Sequence, residues 1–338
     1  MRAVGFNMPQ PITEDTSLID IDLPMPAAAG RDLLVEIRAV SVNPVDAKVR
    51  ASAPVEAGDH RVLGYDAAGV VKAVGPEVTL FQPGDAVFYA GALDRPGTNA
   101  EFHLVDERIV GRKPESLSFE QAAALPLTAI TAYEAMLHRM KVQEPVPGAA
   151  NAILIIGGAG GVGSIAIQLA RELTDLTVIA TASRPETQAW IRDLGAHHVI
   201  DHSQPLAPQV EALGLGSPAF VFSTTETEQH LDDILALIAP QGRFCLIDDP
   251  KNPMDLRPFK RKALSIHWEL MFTRSLYQTE DMIEQHKLLD HVAELVDAGR
   301  IRTTLAETYG TINAANLKRA HAMIESGRAK GKIVLSGF

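Results

Sequence analysis

The chain has 338 residues, 31 Lys plus Arg against 42 Asp plus Glu, a formal net charge of −11, 46% hydrophobic residues and one cysteine, Cys245. This length and balance favour two folded domains over a disordered chain, and one cysteine excludes an intramolecular disulfide framework or a Cys-rich zinc module. The negative charge argues against nucleic acid as a partner; no run approaches the roughly 18 apolar residues of a membrane span, and Met1–Phe6 lacks the pattern of a secretion signal, so a cytoplasmic chain is expected.

The first 125 or so residues read as β-rich. Leu34–Val42 alternates, with Val35, Ile37 and Ala39 on one side and Glu36 and Arg38 on the other. Residues 64–75 and 83–91 read as short strands between glycine turns. Ser118-Phe119-Glu120-Gln121 matches a capping box and predicts a helix over 120–125. The period then changes. Residues 152–156 form an apolar run without alternation, as in a strand buried on both faces. Glycine-rich sequence follows, then Val162, Ile165, Ala166 and Leu169 at helical spacing. Further strands are expected at 177–181, 199–200, 219–222 and 244–247, with helices at 185–194 and 231–238. This alternation argues for a parallel sheet covered on both faces. In the tail, Thr279 is the expected cap of one helix ended by Gly299, and Asn313 caps a second ended by Gly327. Residues 303–309 and 332–335 read as strands.

The sharpest motif is Gly158-Ala159-Gly160-Gly161-Val162-Gly163, a G-x-G-x-x-G between a buried strand and a periodic helix. Gly158 is expected to allow the tight turn, Gly160 the close approach of a pyrophosphate, and Gly163 the close packing of helix on strand. With Gly161 and Val162 they form a dinucleotide-phosphate cradle at a helix N-terminus. The second strand then chooses the cofactor. Where an NAD enzyme places an acid on the ribose, this chain has Ser183 and then Arg184. A hydroxyl and a guanidinium suit a 2′-phosphate, which favours NADPH. The bland alternative for Arg184 is a solvated first-turn arginine.

Four further segments carry a family resemblance: Asn43-Pro44-Val45-Asp46, Gly64-Tyr65-Asp66-Ala67-Ala68-Gly69, Pro83-Gly84-Asp85-Ala86-Val87 and Ala124-Leu125-Pro126-Leu127-Thr128. With the glycine turn, the chain resembles the medium-chain dehydrogenase/reductase superfamily, in its quinone-oxidoreductase-like, zinc-type alcohol dehydrogenase-like branch. The resemblance implies an α/β fold: a GroES-like β-rich catalytic domain over 1–126, a Rossmann doubly wound parallel-sheet domain over 127–272, and a return segment over 273–338 that completes the first. It places Thr128, Thr224, Phe272 and Thr273 near the cofactor. It also implies a homodimer formed through the edge strand 265–269.

Zinc-dependent members of that superfamily hold their metal with Cys, His and Cys. The matching positions here are Asn43, Tyr65 and Leu127, and an amide, a phenol and an alkyl chain do not make such a site. No zinc is therefore expected. Without a Lewis acid, the reaction left to a nicotinamide is hydride delivery to a small electrophile that delocalises its own charge, a quinone or an α,β-unsaturated carbonyl. Asn43 and Tyr65 are the candidate donors to the developing oxygen anion, each with a bland alternative: an Asx-type turn before Pro44, or packing in a barrel core. Two other functions stay open: a zinc alcohol dehydrogenase with atypical ligands, and a non-catalytic NADPH-binding redox sensor.

Overall fold

The computed structural model describes all residues, Met1–Phe338, in two compact units: 1–130 with 272–338, and 131–271. The expected junctions lay at 126/127 and 272/273; those found are 130/131 and 271/272.

The first unit begins with β1 (Arg2–Phe6), β2 (Ile19–Asp22) and β3 (Asp32–Val42), then α1 (Pro44–Ser52). The helix α1 is a short turn of chemistry that a β-rich reading passes over. Asn43 stands in an extended conformation before a proline at the first helical position, and its backbone N–H donates to Asp46 Oδ2 at 2.7 Å. Next come β4 (Arg61–Val62), β5 (Asp66–Val74), β6 (Ala86–Ala90), β7 (Phe102–Asp106) and β8 (Val110–Arg112). β5 pairs antiparallel with β3 and with β6. Gly69 sits where β3 crosses close by: a Cβ there would lie 2.2 Å from the Glu36 carbonyl oxygen. The helix α2 (Phe119–Ala123) starts at the expected box, with Ser118 and Gln121 bonded in both directions. α3 (Pro126–Tyr133) follows.

The second unit is a six-stranded parallel sheet. Its strands are β9 (Ala150–Ile156), β10 (Thr177–Thr181), β11 (His198–Ile200), β12 (Pro218–Ser223), β13 (Arg243–Leu246) and β14 (Ser265–Trp268). Between them run α4 (Gly161–Leu173), α5 (Pro185–Asp193), α6 (Leu206–Ala212) and α7 (Thr227–Leu237). The order β11-β10-β9-β12-β13-β14 is the doubly wound Rossmann order, with β9 as first strand. Ile153–Ile156 at its centre are 0–1% exposed, as a strand covered on both faces requires. Each such side chain contributes about 1.5–3 kcal/mol relative to exposure.

The remaining chain belongs to the first unit. It contains α8 (Thr273–Tyr277), α9 (Glu284–Asp297), β15 (Leu305–Thr308), α10 (Ala314–Glu325) and β16 (Lys332–Ser336). β16 pairs antiparallel with β3, which places Ile333 opposite Val42. Thr279 does not cap α9. That helix begins five residues later, and the Thr279 hydroxyl donates instead to Asp281 Oδ1 at 2.6 Å. Asn313 does cap α10, accepting from the Asn316 N–H at 2.8 Å. No helix is long and apolar enough to cross a membrane.

Candidate active site

In the second unit, β9 ends at Ile156 and α4 begins at Gly161, with Gly160 as N-cap. The tight turn belongs to Gly157, at φ +80°, and not to Gly158 as expected; Gly158 lacks a positive φ. Gly158 serves close packing instead, since a Cβ there would meet the Ala180 Cβ at 3.0 Å. A Cβ on Gly163 would lie 2.3 Å from the Gly157 carbonyl oxygen, so only glycine lets α4 close on the strand. A Cβ added at Gly160 would meet nothing closer than the Gly157 carbonyl oxygen at 3.5 Å. This glycine-rich turn at a helix N-terminus, where first-turn amides lack helical partners, fits a dinucleotide pyrophosphate. Thr224 closes the turn from β12, its hydroxyl donating to the Ile156 carbonyl at 2.8 Å.

At the end of β10, Ser183 is half-buried and Arg184 is the N-cap of α5. The Arg184 guanidinium lies 3.1 Å from Glu186 Oε1, and its side chain is 38% exposed, so it is held at the surface by an exchangeable partner. His202 stands nearby. Its Nδ1 lies 3.0 Å from Thr181 Oγ1, which itself accepts from the Gly157 N–H at 3.0 Å. Burial first, with the Arg184 charge, lowers the His202 pKa against the pull of Asp201. His197 accepts from the Val178 N–H at 2.8 Å. Asp248 accepts from the Thr227 N–H at 2.9 Å and so caps α7.

In the first unit, three of the singled-out segments converge on one carboxylate. Asp66, at the start of β5, is fully buried. Its Oδ2 accepts from Asn43 Nδ2 at 2.8 Å and from the Lys332 ammonium at 3.0 Å, and its Oδ1 accepts from the Leu127 N–H at 2.7 Å. The Lys332 ammonium, 3% exposed, also donates to the Asn43 Oδ1 and, at 3.1 Å, to the Val42 carbonyl. The second Asn43 amide hydrogen reaches the Ser41 carbonyl at 3.4 Å. Asp46 accepts from the backbone N–H of Asn43 and, at 3.0 Å, of Gly64. Burial pushes its carboxyl up to about 7, against the pull of those amides and of Lys332.

Tyr65 is buried, its ring set edge-on to Phe272 at 5.1 Å between centroids. Burial, with the Asp46 charge, holds the phenol above its ordinary pKa, against the opposing pull of the Arg61 charge. It is therefore a proton-bearing donor at neutral pH. Thr128 is buried and donates to the Leu125 carbonyl at 3.0 Å. Phe272 is buried and Thr273 opens α8, so this pair belongs to the first unit and not to the sheet. The structure therefore groups Asn43, Tyr65, Thr128, Phe272 and Thr273 in one unit, and the glycines, Ser183, Arg184 and Thr224 in the other. Sequence reasoning passed over Lys332. The signal for Lys332 was a lysine opening an otherwise apolar strand, Lys332-Ile333-Val334-Leu335.

A catalytic zinc is implied by the alcohol dehydrogenase resemblance, and the residues do not fit it. No three His, Cys, Asp or Glu side chains converge as metal ligands anywhere in the chain. Of the matching positions, Asn43 already gives its Oδ1 to the ammonium that Asp66 also holds, Tyr65 is a phenol, and Leu127 offers only a backbone N–H, which is no ligand.

Residues 29–115 match the model of the alcohol dehydrogenase GroES-like domain, and residues 194–335 that of the zinc-binding dehydrogenase. The chain is 38% identical to a zinc-type alcohol dehydrogenase-like protein of Staphylococcus aureus (strain MSSA476), over 99% of this chain and all of that one. It is 37% identical to a 2-methylene-furan-3-one reductase of Solanum lycopersicum, over 56% of this chain and 50% of that one. Among solved structures it is similar to a Rhizobium etli CFN 42 protein whose assignment as a zinc-dependent alcohol dehydrogenase is provisional. The identity there is 68%, the TM-score 0.98, and the match covers 100% of this chain and 98% of the other. A quinone oxidoreductase of Coxiella burnetii matches at 25% identity and TM-score 0.81, over 100% and 99%. The chain belongs to the zinc-type alcohol dehydrogenase-like family of the medium-chain dehydrogenase/reductase superfamily. It is an oxidoreductase, in a family whose members use nicotinamide cofactors.

Proposed function

We propose that this protein reduces a quinone or an α,β-unsaturated carbonyl with NADPH and without zinc. The observation that carries the reading is the donor set at Asn43, Tyr65 and Leu127, where an ammonium and a carboxylate stand in place of a Cys/His metal site. With no Lewis acid built into the chain, a simple ketone lacks its electrophile, whereas a conjugated acceptor spreads the incoming charge itself.

Bound NADPH supplies the hydride. The residues that would hold it are Gly158, Gly160, Gly161, Val162 and Gly163 at the pyrophosphate, Ser183 and Arg184 at the 2′-phosphate, and Thr224 beside the turn. Thr128, Phe272 and Thr273 complete the set on the first unit. Arg184 exchanges its exposed partner Glu186 for the phosphate, a charge-assisted and potentially bidentate contact. Tyr65, kept protonated by burial, donates to the oxygen that gains charge. Asn43 has both amide hydrogens committed to Asp66 and Ser41, so it shapes the site and leaves donation to Tyr65. The enone reductase and quinone oxidoreductase among the similar proteins support this acceptor class.

The same reading includes a homodimer. β14 is the last strand of its sheet, and its final residue, Trp268, is 53% exposed. A second copy pairing along that edge would cover it. The test of the function compares NADPH and NADH oxidation with a quinone, an enone and an unconjugated ketone. Turnover of the first two, faster with NADPH, is expected; turnover of the ketone alone, or equal use of both cofactors, contradicts the reading.

A further inference from the structure

The buried ion pair between Lys332 and Asp66 goes beyond a missing metal. Its ammonium has three hydrogens and three acceptors: the Val42 carbonyl, Asn43 Oδ1 and Asp66 Oδ2. The carboxylate it neutralises reaches the two other segments, through Asn43 Nδ2 and through the Leu127 N–H at the start of α3. These contacts join residues 23, 61 and 266 positions from Asp66. By the resemblance, positions 43, 65 and 127 match those a metal ties together in zinc-dependent members of the superfamily; here Asp66, next to Tyr65, joins the same three segments. Both charged groups are buried, and such a pair is retained at a desolvation cost that packing alone does not require.

We propose that Lys332 is a positioning residue whose ammonium is the site's resident cation, holding through Asp66 the Asn43 amide and the start of α3, with Thr128, in the geometry that hydride transfer needs. Without it, Asp66 is an uncompensated buried carboxylate. It must then take a proton or draw in water, and in either case it loosens its hold on the Leu127 N–H.

The test uses Lys332→Ala in the full chain, with and without propylammonium, and two readouts. The first is hydrogen exchange at the Leu127 amide, which rests on no assumption about substrate. It should accelerate about tenfold or more in the variant and slow again with propylammonium, and not with sodium at equal ionic strength. The second, resting on the reductase reading, is turnover. The kcat should fall by about tenfold or more and recover in part with the amine, while NADPH affinity, carried by the glycine turn, stays within about threefold. Unchanged exchange at Leu127, or faster exchange and lower kcat that no amine reverses, overturns the proposal. A wild-type protein inert toward every acceptor would defeat the reductase reading alone, since the exchange readout still decides the role of Lys332. Should Lys332→Ala not fold, the double variant Asp66→Asn with Lys332→Met removes both charges and takes its place. Faster Leu127 exchange in it supports the proposal; wild-type exchange and wild-type kcat overturn it.

Discussion

The glycine turn of the second unit and the Asp66 cluster of the first solve opposite problems. The turn works by absence. Gly157 accepts a left-handed φ, Gly163 leaves room for a carbonyl 2.3 Å from where a Cβ would be, and Gly160 leaves open space for a ligand. The cluster works by presence: one carboxylate and one ammonium, both buried, bring three distant segments to one point. A site made of backbone shape tolerates polar change but no added volume. A site made of buried charge tolerates volume but not the loss of either partner.

The sharpest break in that contrast is Gly163→Val. The added side chain has no space, so cofactor affinity should fall about 100-fold or more, with a loss of thermal stability. Gly160→Ala sharpens the point, since its Cβ meets nothing closer than 3.5 Å. It should unfold within about 2 °C of wild type and still lose cofactor affinity about tenfold, measured by fluorescence titration. Equal losses in stability and affinity would place Gly160 in packing only.

On the other side, Asp66→Ala strands the Lys332 ammonium and the Leu127 N–H in the interior. Urea unfolding should show a loss of about 3–5 kcal/mol. A change below about 1 kcal/mol would show that water reaches the pair and that the charges are not tightly held.

Next in size is an acid effect built into the first unit. His103 donates from Nε2 to the Pro96 carbonyl at 2.9 Å and accepts at Nδ1 from the Tyr89 hydroxyl at 3.0 Å, and burial lowers its pKa to about 4. His321 is buried on α10 with neither ring nitrogen hydrogen-bonded, and its pKa falls to about 3, burial first and Arg50 second. Both pKa values are depressed, so their contribution is complete above about pH 6.5 and drains away as pH falls toward 4 and 3. His321→Leu removes one such group. At pH 4.5 the variant should gain roughly 2 kcal/mol relative to wild type, with little difference at pH 8. A parallel pH profile for the two proteins would contradict neutral burial.

The smallest expected change concerns Arg184, which is 38% exposed. Arg184→Asp should weaken NADPH binding about tenfold and leave NADH nearly untouched. An unchanged ratio would return Arg184 to its pairing with Glu186.

The same contrast explains what was legible in the sequence. The Rossmann half could be read almost strand by strand, because buried parallel strands are contiguous apolar runs and glycine turns are local. Even there, the tight turn fell to Gly157, one residue before the motif, which only the φ angle distinguishes. The first unit was legible as β-rich but not in its helix α1, whose start at Asn43 and Pro44 also suits a turn. Asn43, Tyr65 and Leu127 could be picked out by resemblance. Their partner Lys332 could not, since no local pattern links it to a carboxylate 266 residues earlier. Thr279 misled because a threonine before a periodic stretch suits a cap, yet Asp281 takes its hydroxyl first.

A buried lysine–carboxylate pair joins the segments where the resemblance places zinc, and the proposed reaction needs no metal. The most direct measurement is NADPH oxidation with a quinone acceptor by protein of known metal content, before and after chelation, and again with zinc added. The same rate is expected in all three conditions. Turnover that is lost with the chelator and returns with zinc would contradict it.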